Sequence, residues 1–206
     1  EAIKSARGKL IACCDSDTYP PKDLLMKSIP HTDSPEIGAM TFFITVNKPK
    51  TIWQKMQEME YLFSFGAFPY LAAKFNSILV TPGPLTIFRK DALLKIGGFD
   101  EGNITEDFEM GLKLHKFGYR ILYLPIGIPT EVPRTFSSLM RQRVRWYRGT
   151  IFNIFLYRRF MFNREYSDVG YFAFPIIAAY VPITVASFFF VLARASRMLV
   201  ESSIQA

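Results

Sequence analysis

The stretch KLIACCDSD, residues 9–17, decides the fold class of this chain. It begins with a mostly apolar run, bounded by Gly8 and by a segment rich in Asp, Ser and Pro, and this pattern predicts a short buried strand. Three further strands are predicted from β-branched and aromatic runs: Ile37–Val46, residues 80–89 with a Pro/Gly loop inside them, and residues 119–124. Helical segments separate these strands. The alternation predicts an α/β fold with a largely parallel sheet.

Helical patterns occupy the remaining segments. A short helix is predicted within residues 20–28, because proline is favoured at a helix start. Residues 52–75 show helical spacing, and we interpret their aromatic second half as core or membrane-facing packing rather than as the wall of a sugar channel. Two more helices are predicted over residues 106–117 and 135–162, with Gly149 as a candidate break in the second.

The positive charge of the chain is concentrated in one segment. The 206 residues carry a formal charge of +7, and half of them are hydrophobic, which excludes a disordered or collagen-like protein. Without the arginines of residues 134–164, 25 − 8 = 17 basic side chains face 18 acidic ones. That segment contains no lysine and no acid, and its arginines are Arg134, Arg141, Arg143, Arg145, Arg148, Arg158, Arg159 and Arg164. An acidic partner would meet the protein there.

A long uncharged segment follows the arginines. Residues 169–193 contain no Asp, Glu, Lys or Arg. A helix of this length extends roughly 37 Å, more than the roughly 30 Å of a bilayer core, so we predict a transmembrane helix rather than a buried core helix. The predicted organisation is an α/β domain over 1–133, amphipathic interfacial helices over 134–165, and a transmembrane helix with its flank over 166–206. The excess of arginine before the span predicts an integral membrane protein with a cytoplasmic α/β domain.

The first candidate functional motif is Asp15-Ser16-Asp17, directly after the first strand. Ligands of open α/β sheets bind beyond the carboxyl ends of the strands. Two carboxylates at i and i+2 are suited to a hard divalent cation such as Mg²⁺ or Mn²⁺, which is usually shared with substrate phosphates. The alternative is an ordinary solvated turn.

The second candidate motif, Thr105-Glu106-Asp107, lies at a predicted helix N-terminus. There Thr105 is expected to cap the helix, and the helix end is expected to keep Asp107 ionised. An ionised Asp107 could accept a proton from an attacking hydroxyl. The alternative is that these acids only complement the helix dipole.

The third candidate motif is QRVRW, in which Gln142, Arg145 and Trp146 share one helix face. A guanidinium, an amide and a large ring together suit a phosphate next to a sugar. The alternative is an interfacial helix whose arginines meet lipid headgroups and whose tryptophan lies in the aromatic belt.

These three motifs, in this order before a membrane span, resemble the processive membrane glycosyltransferases of family 2, which include the cellulose, chitin, hyaluronan and poly-N-acetylglucosamine synthases. The loop Pro82-Gly83-Pro84 and the run Tyr123-Leu124-Pro125 resemble further parts of the family pattern. The likeness extends from Glu1 to about Phe155.

The resemblance implies a GT-A nucleotide-sugar-binding fold and an inverting transfer from a nucleotide sugar, with a UDP-linked donor as the expectation. Asp15 and Asp17 would hold the metal, Asp15 and Glu106 would contact substrate, and Asp107 would be the general base. The diphosphate and the acceptor sugar would be covered by three helix residues, Gln142, Arg145 and Trp146. Gly83 would lie near the acceptor.

The resemblance also implies that a first strand and an early Asp of the family precede Glu1, so we expect these 206 residues alone not to turn over sugar nucleotide. Three alternatives to a polysaccharide synthase remain at this point. They are an enzyme that adds a single sugar to a lipid, a catalytically silent membrane subunit, and a nucleic-acid binder using the arginines, which we do not favour because the arginines directly precede the span.

Overall fold

A four-stranded sheet forms the centre of the computed structural model, which describes residues 2–166 and 168–205. The strands are β1 (Leu10–Cys14), β2 (Ile37–Val46), β3 (Leu85–Arg89) and β4 (Arg120–Thr130). The helices are α1 (Ala2–Ser5), α2 (Leu24–Ser28), α3 (Ile52–Tyr61), α4 (Phe68–Lys74), α5 (Lys90–Lys95), α6 (Glu106–Lys116), α7 (Phe136–Leu156) and α8 (Phe174–Gln205). A π-helical segment, Leu62–Ala67, joins α3 to α4, and another, Val169–Ala173, leads into α8.

The sheet is mixed, so the prediction of a largely parallel sheet is wrong. In the strand order β1-β3-β2-β4, β3 runs antiparallel to both of its neighbours, and only β2 and β4 are parallel. The reason is the position of the loop before β3. The backbone N–H of Asp15 donates to the carbonyl of Pro84 over 3.3 Å, so β3 begins where β1 ends and has to run back along it. Alternation of strands and helices in the sequence does not reveal such a reversal.

Helices cover both faces of the sheet. On one face, Met40, Phe42 and Ile44 of β2 pack in a buried cluster with residues of α2 and α3. On the other face, Ala39 and neighbouring strand residues pack against α5 and α6. The side chains of alternate β2 residues therefore pack on opposite faces of the sheet, as expected for a pleated strand.

Strand β4 continues beyond the predicted end at Leu124. Its pairing with β2 shifts there: Leu124 lies opposite Phe42, whereas Gly127 lies opposite Phe43. Pro125, which the sequence suggested as a strand end, falls within this irregularity. Proline is tolerated at a bulge because the bulged residue needs no ladder hydrogen bond.

Strand β1 lies at the edge of the sheet and pairs only with β3. Leu10 and Cys13 are half-buried, and Ala12 and Cys14 are exposed. A fully buried first strand is therefore not observed, because hydrophobic composition does not distinguish an edge strand from a central one. Cys13 and Cys14 are both free thiols.

Helix α7 passes through Gly149 without the break that the sequence suggested, and it ends at Leu156. Its N-cap is Thr135, whose side-chain oxygen accepts a hydrogen bond from the backbone N–H of Ser138. Gly149 is buried against Thr105 rather than breaking the helix. Because glycine has no side chain, Thr105 can pack closely against the helix at this position.

The apolar segment Val169–Ser187 is long and apolar enough to cross a membrane, judged by length and composition, with a mean hydropathy of 1.8. The start of this segment packs on the α/β domain, since Val169 and Phe174 share a buried cluster with Phe108 and Leu112 of α6. The beginning of the predicted span therefore rests on the helix that carries Asp107.

Replacement of Gly111 by alanine is expected to destabilise the protein strongly. A Cβ at this position of α6 would lie 2.0 Å from the backbone carbonyl oxygen of Leu79, which cannot move without shifting its loop. The gain of about 1 kcal/mol in helix propensity does not offset the clash. We expect a net loss of at least about 2 kcal/mol and a Tm lower by at least about 4 °C.

Thermal unfolding in detergent micelles measures this effect, and Gly127→Ala is the matched control. The nearest atom to a Cβ at Gly127 is Cγ2 of Thr45 at 3.8 Å, an ordinary van der Waals distance. Equal melting temperatures for Gly111→Ala and Gly127→Ala would contradict the packing described for α6.

Candidate active site

The three motifs meet on one side of the sheet. Asp15 follows β1, Asp107 lies in the first turn of α6, and Arg145 lies in the middle of α7. The Arg145 guanidinium lowers the pKa of both carboxyls, so it is within electrostatic reach of each, although in both cases burial of the carboxyl has the larger and opposite effect. Residues far apart in sequence thus form one charged cluster.

Asp15 is held by the loop that precedes β3. Besides the hydrogen bond from its N–H to Pro84, its carboxylate lies against Gly83: a Cβ on that glycine would be 3.3 Å from Oδ2 of Asp15. Gly83, which the resemblance placed near the acceptor, therefore contacts the first carboxylate of the Asp-Ser-Asp motif. A side chain at Gly83 would crowd that carboxylate.

Asp17 is held at the end of β4. The hydroxyl of Thr130 lies 3.4 Å from Oδ1 of Asp17, and the backbone N–H of Glu131 donates to the carbonyl of Asp17 over 3.2 Å. Asp15 and Asp17 are close enough to repel each other, since Asp17 raises the pKa of Asp15.

The donor set fits a divalent cation that takes further ligands from water or substrate. Burial raises the pKa of Asp15 above its usual value, and the negative charges of Asp17 and Glu106 raise it further. A cation would relieve this repulsion. Within residues 2–166 and 168–205 no cluster of three or more His, Cys, Asp or Glu side chains forms a complete metal site. A hydrated Mg²⁺ or Mn²⁺, which keeps several non-protein ligands, suits such a pair.

Asp107 is anchored by its backbone and partly buried. Its carbonyl accepts hydrogen bonds from the N–H of Thr81 at 3.1 Å and from the hydroxyl of Thr81 at 2.8 Å. Its Oδ1 accepts the backbone N–H of Phe108 at 2.8 Å. The carboxylate is therefore oriented at the start of α6.

Burial raises the pKa of Asp107 to about 6, and the charge of Glu106 adds to this effect. The N–H of Phe108 and the guanidinium of Arg145 act in the opposite direction. The sequence expectation that the helix end keeps Asp107 ionised is thus incomplete, because desolvation has the larger and opposite effect on its pKa. A carboxyl with this pKa is still ionised at neutral pH.

Thr105 does not cap α6 with its side chain, contrary to the sequence expectation. Its hydroxyl is instead bonded to the amide nitrogen of Asn153 on α7, at 3.0 Å. Asn153 and Asn103 also exchange hydrogen bonds, at 2.8 and 3.2 Å. Sequence analysis missed both asparagines, since nothing in their local pattern indicates that they meet.

Gln142, Arg145 and Trp146 lie on α7 as the helical spacing predicted. Arg145 is exposed and, among the described residues, makes no hydrogen bond or ion pair. The side-chain oxygen of Gln142 is buried and has no hydrogen-bond partner in the described part of the chain. Arg145 is therefore free to contact a ligand, whereas the buried oxygen of Gln142 is not exposed to one and Trp146 packs partly against the sheet core.

Arg143 is a site residue that sequence analysis did not select. Its guanidinium lies 4.3 Å from the centre of the Trp146 ring and forms an ion pair with Glu60 at 2.5 Å. Its second terminal nitrogen, Nη1, is buried with no hydrogen-bond partner among the described residues. The signal was the i, i+3 spacing of Arg143 and Trp146, which favours a cation–π contact on a helix.

Two cavities meet at Asp107. The smaller, of about 710 Å³, is lined by Asp15, Gly83, Glu106 and Asp107 among others. The larger, of about 890 Å³, runs from Asp107 past Trp146 towards α8. Its other walls are largely apolar and include Phe65, Phe68, Leu71, Phe75, Phe172 and Ile176. The aromatic segment interpreted as packing thus lines a cavity, and Phe68, Leu71 and Phe75 are also exposed.

Comparison with known sequences identifies relatives over most of the chain. The profile of the glycosyl transferase family group 2 matches residues 10–201. A poly-beta-1,6-N-acetyl-D-glucosamine synthase of Staphylococcus aureus is 32% identical over 153 residues, and that of Staphylococcus epidermidis is 34% identical over 151 residues. Each alignment covers 72% of this chain, and the chain spans 37% of the length of either relative.

Comparison with solved structures identifies the fold. A mannosyltransferase from Pyrobaculum calidifontis, solved in complex with GDP-Man and Mn²⁺, superposes with a TM-score of 0.61 at 20% sequence identity. The match covers 96% of this chain and 57% of that one. The predicted fold class, an α/β GT-A glycosyltransferase domain followed by an apolar helix, is confirmed.

The buried carboxylate of Asp107 is expected to cost stability at neutral pH. Its pKa in the folded protein, about 6, lies above the ordinary value of 3.8, so the folded state binds this proton more tightly than the unfolded chain does. The resulting stabilisation is complete below about pH 4 and is lost as the pH rises through about 6. Asp107→Asn, which stays neutral, is expected to be more stable than wild type by about 2–3 kcal/mol at pH 8 and by about half as much at pH 5.

Chemical denaturation at pH 5 and pH 8 measures this difference. Asp33→Asn, which removes an exposed carboxylate away from both cavities, is the control and should change stability little at either pH. An advantage of Asp107→Asn that is the same at both pH values would contradict the raised pKa.

Proposed function

Because the chain belongs to glycosyl transferase family group 2, we propose that the protein transfers a sugar from a UDP-linked nucleotide sugar to a growing polysaccharide, with inversion at the anomeric carbon and with a divalent metal. The chain is a glycosyltransferase domain with polysaccharide synthases among its relatives. The donor nucleotide, the acceptor, the stereochemistry and the metal requirement are parts of the proposal.

The observation that carries the proposal is the position of Asp107 between two cavities of different character. The cavity with Asp15, Gly83 and Glu106 is lined by carboxylates and loop backbone. The cavity with Trp146 is mainly apolar. A transferase needs a donor site and an acceptor site that meet at the reacting atoms, and a proton acceptor at that junction.

The chemistry assigned to Asp107 is general base catalysis. An acceptor hydroxyl in the larger cavity would give its proton to the carboxylate of Asp107 as its oxygen attacks the anomeric carbon. The carbon–oxygen bond to the diphosphate breaks on the opposite side, so the configuration inverts and the diphosphate leaves with the electron pair. A pKa of about 6 leaves the base ionised at neutral pH while keeping it basic enough to accept a proton.

The donor site is assigned to the polar cavity. Asp15 and Asp17 would hold the divalent metal, and Glu106 lies beside them as a candidate contact to the donor sugar. When bound, the metal would neutralise negative charge on the leaving diphosphate. Arg145, exposed and without an acidic partner among the described residues, supplies a second positive charge at this position. Gln142 lies on the same helix, but its side-chain oxygen is buried and it lines neither cavity, so its contact with the diphosphate stays a prediction from the family resemblance.

The acceptor site is assigned to the larger cavity. Trp146 offers a flat apolar ring for a sugar face, and the guanidinium of Arg143, which lines the same cavity, lies 4.3 Å from the ring centre. Asp107 at the inner end of this cavity would receive the terminal hydroxyl of the polymer. Gly83, on the loop that contacts Asp15, lines the smaller cavity and not the larger one.

A lipid acceptor is the second candidate, and the wall of the larger cavity favours it. Beyond Trp146 the lining is dominated by apolar side chains, among them Phe68, Leu71, Phe172 and Ile176. An acyl or prenyl chain needs no hydrogen bonds from such a wall, whereas a sugar chain does. In that case the enzyme would add one sugar per acceptor and then release it.

We further propose that the catalytic domain lies on the cytoplasmic face of a membrane. Seven of the eight arginines of residues 134–164 are exposed, the exception being Arg143. Exposed arginines next to a candidate membrane span suit an anionic lipid surface. A reporter fused to the domain should be accessible from the cytoplasm, and accessibility from outside would contradict this orientation.

Substitution of the proposed base is expected to abolish transfer in the intact membrane protein. Asp107→Asn should lower kcat by about 10²–10⁴-fold with little change in donor KM, because it removes only the proton acceptor. The kcat of wild type should fall as the pH drops through about 6, when Asp107 becomes protonated. The measurement is radiolabelled sugar incorporation from a panel of sugar nucleotides.

Asp33→Asn is the control and should retain wild-type rates across the pH range. Full activity of Asp107→Asn would sink the assignment of the base and would favour a catalytically silent subunit.

Metal removal tests the donor site separately. Chelation should stop transfer, and Mg²⁺ or Mn²⁺ should restore it. Asp15→Asn and Asp17→Asn should each weaken Mn²⁺ binding, followed by electron paramagnetic resonance, by at least about tenfold. Transfer that persists after chelation would contradict the metal requirement.

The size of the product distinguishes the two acceptors. A ladder of long chains supports the polysaccharide synthase, whereas a lipid carrying a single sugar supports the second candidate.

A further inference from the structure

One ridge of α7 runs from Arg145 to the segment that leads into α6, the helix that carries the proposed base. Arg145, Gly149, Asn153 and Tyr157 follow one another at intervals of four residues, and Tyr157 directly follows the helix. Residues spaced by four lie in a row along one side of a helix. The first member, Arg145, lies within electrostatic range of the two carboxyls of the candidate site, and the other three contact the segment from Asn103 to Glu109.

Asn153 is the most constrained member of the ridge. Its side chain is fully buried. Its amide nitrogen donates to the hydroxyl of Thr105 at 3.0 Å, to the carbonyl of Thr105 at 3.3 Å and to Oδ1 of Asn103 at 3.2 Å. Its oxygen accepts the amide of Asn103 at 2.8 Å. Such a set of bonds is satisfied in only one axial position and one rotation of α7.

The neighbouring members of the ridge reinforce this register. A Cβ on Gly149 would lie 2.3 Å from Oγ1 of Thr105, so only glycine permits this approach of the helices. The hydroxyl of Tyr157 donates to Oε1 of the buried Glu109 at 3.0 Å. Gly149 and Asn153 therefore contact Thr105, two residues before Asp107, and Tyr157 contacts Glu109 within α6.

We propose that Asn153 is a positioning residue for transfer, acting through Arg145: its bonds to Thr105 and Asn103 set the register of α7 and with it the position of the Arg145 guanidinium relative to Asp15 and Asp107. This inference rests on the proposed function. A shift of α7 by one residue would move Arg145 by about 1.5 Å along the axis and turn it by about 100°. Arg145 would then face away from the leaving diphosphate, while the donor site on the sheet would be unchanged.

A double-mutant cycle on the intact protein tests the role of Asn153. Asn153→Leu removes the bonds and keeps the side-chain size, and Arg145→Ala removes the group that Asn153 is proposed to position. We expect each single variant to lower kcat by about tenfold or more with donor KM within about twofold of wild type, and the double variant to be no worse than Arg145→Ala. Asn103→Ala, which removes the same pairing from the loop side, should reproduce the kcat loss.

Gln57→Leu is the matched control, since it also removes a buried amide. The Gln57 amide donates to the carbonyls of Trp53 and Pro133, at 3.0 and 2.8 Å, and lines neither cavity. Any effect of Gln57→Leu should multiply with that of Arg145→Ala. If the kcat loss of Asn153→Leu also multiplies with that of Arg145→Ala, the positioning role is overturned. If Asn153→Leu does not fold, Asn103→Ala takes its place in the same test.

Two outcomes separate this inference from the proposed function. In the first outcome, the wild-type protein transfers sugar, Asp107→Asn is inactive, and the kcat losses of Asn153→Leu and Arg145→Ala multiply. This outcome supports the proposed function and overturns the positioning role alone. Absence of sugar transfer by the wild-type protein overturns both.

Discussion

Hydrogen bonds on both sides of the loop 81–84 hold the candidate active site together. At one end of this loop Thr81 donates twice to the carbonyl of Asp107, and at the other Pro84 accepts the N–H of Asp15. The loop thereby links the Asp-Ser-Asp motif to the first turn of α6. Gly83 lies between these anchors, where it leaves no side chain in the space beside the Asp15 carboxylate. Because β3 begins at this loop, the position of the loop determines both the antiparallel direction of β3 and the geometry of the site.

The burial of Asp107 connects stability with chemistry. The same desolvation that raises its pKa to about 6 makes it a useful base and a destabilising charge in the folded protein. The surroundings offset this cost: Phe108 donates to the carboxylate, and α6 is packed on three sides, by the sheet, by α7 through Asn153 and by the start of the apolar segment through Val169.

Local patterns in the sequence predicted the elements well and their arrangement less well. The segments of β2 and α6 lie within one residue of their predicted bounds, and α7 begins as predicted but ends at Leu156 instead of continuing to residue 162. The direction of β3 and the continuation of β4 past Pro125 were not predictable, since both depend on pairing with distant strands. Asn103 and Asn153 were missed for the same reason, since they are 50 residues apart in the sequence and bond to each other. Arg143 was also missed, although its contact with Trp146 follows from i, i+3 spacing on the helix; only its ion pair with Glu60 depends on a distant partner.

The sequence by itself determined the class of the domain, the three motifs and the concentration of arginine between residues 134 and 164. Composition and spacing are sufficient for these features because they are properties of short segments. Only the tertiary structure decided that Asp107 lies where two cavities meet, that burial rather than the helix end dominates its pKa, and that Gly149 is a contact to Thr105 instead of a helix break. Desolvation and close packing are properties of the folded chain, since they depend on which distant groups replace water around a residue.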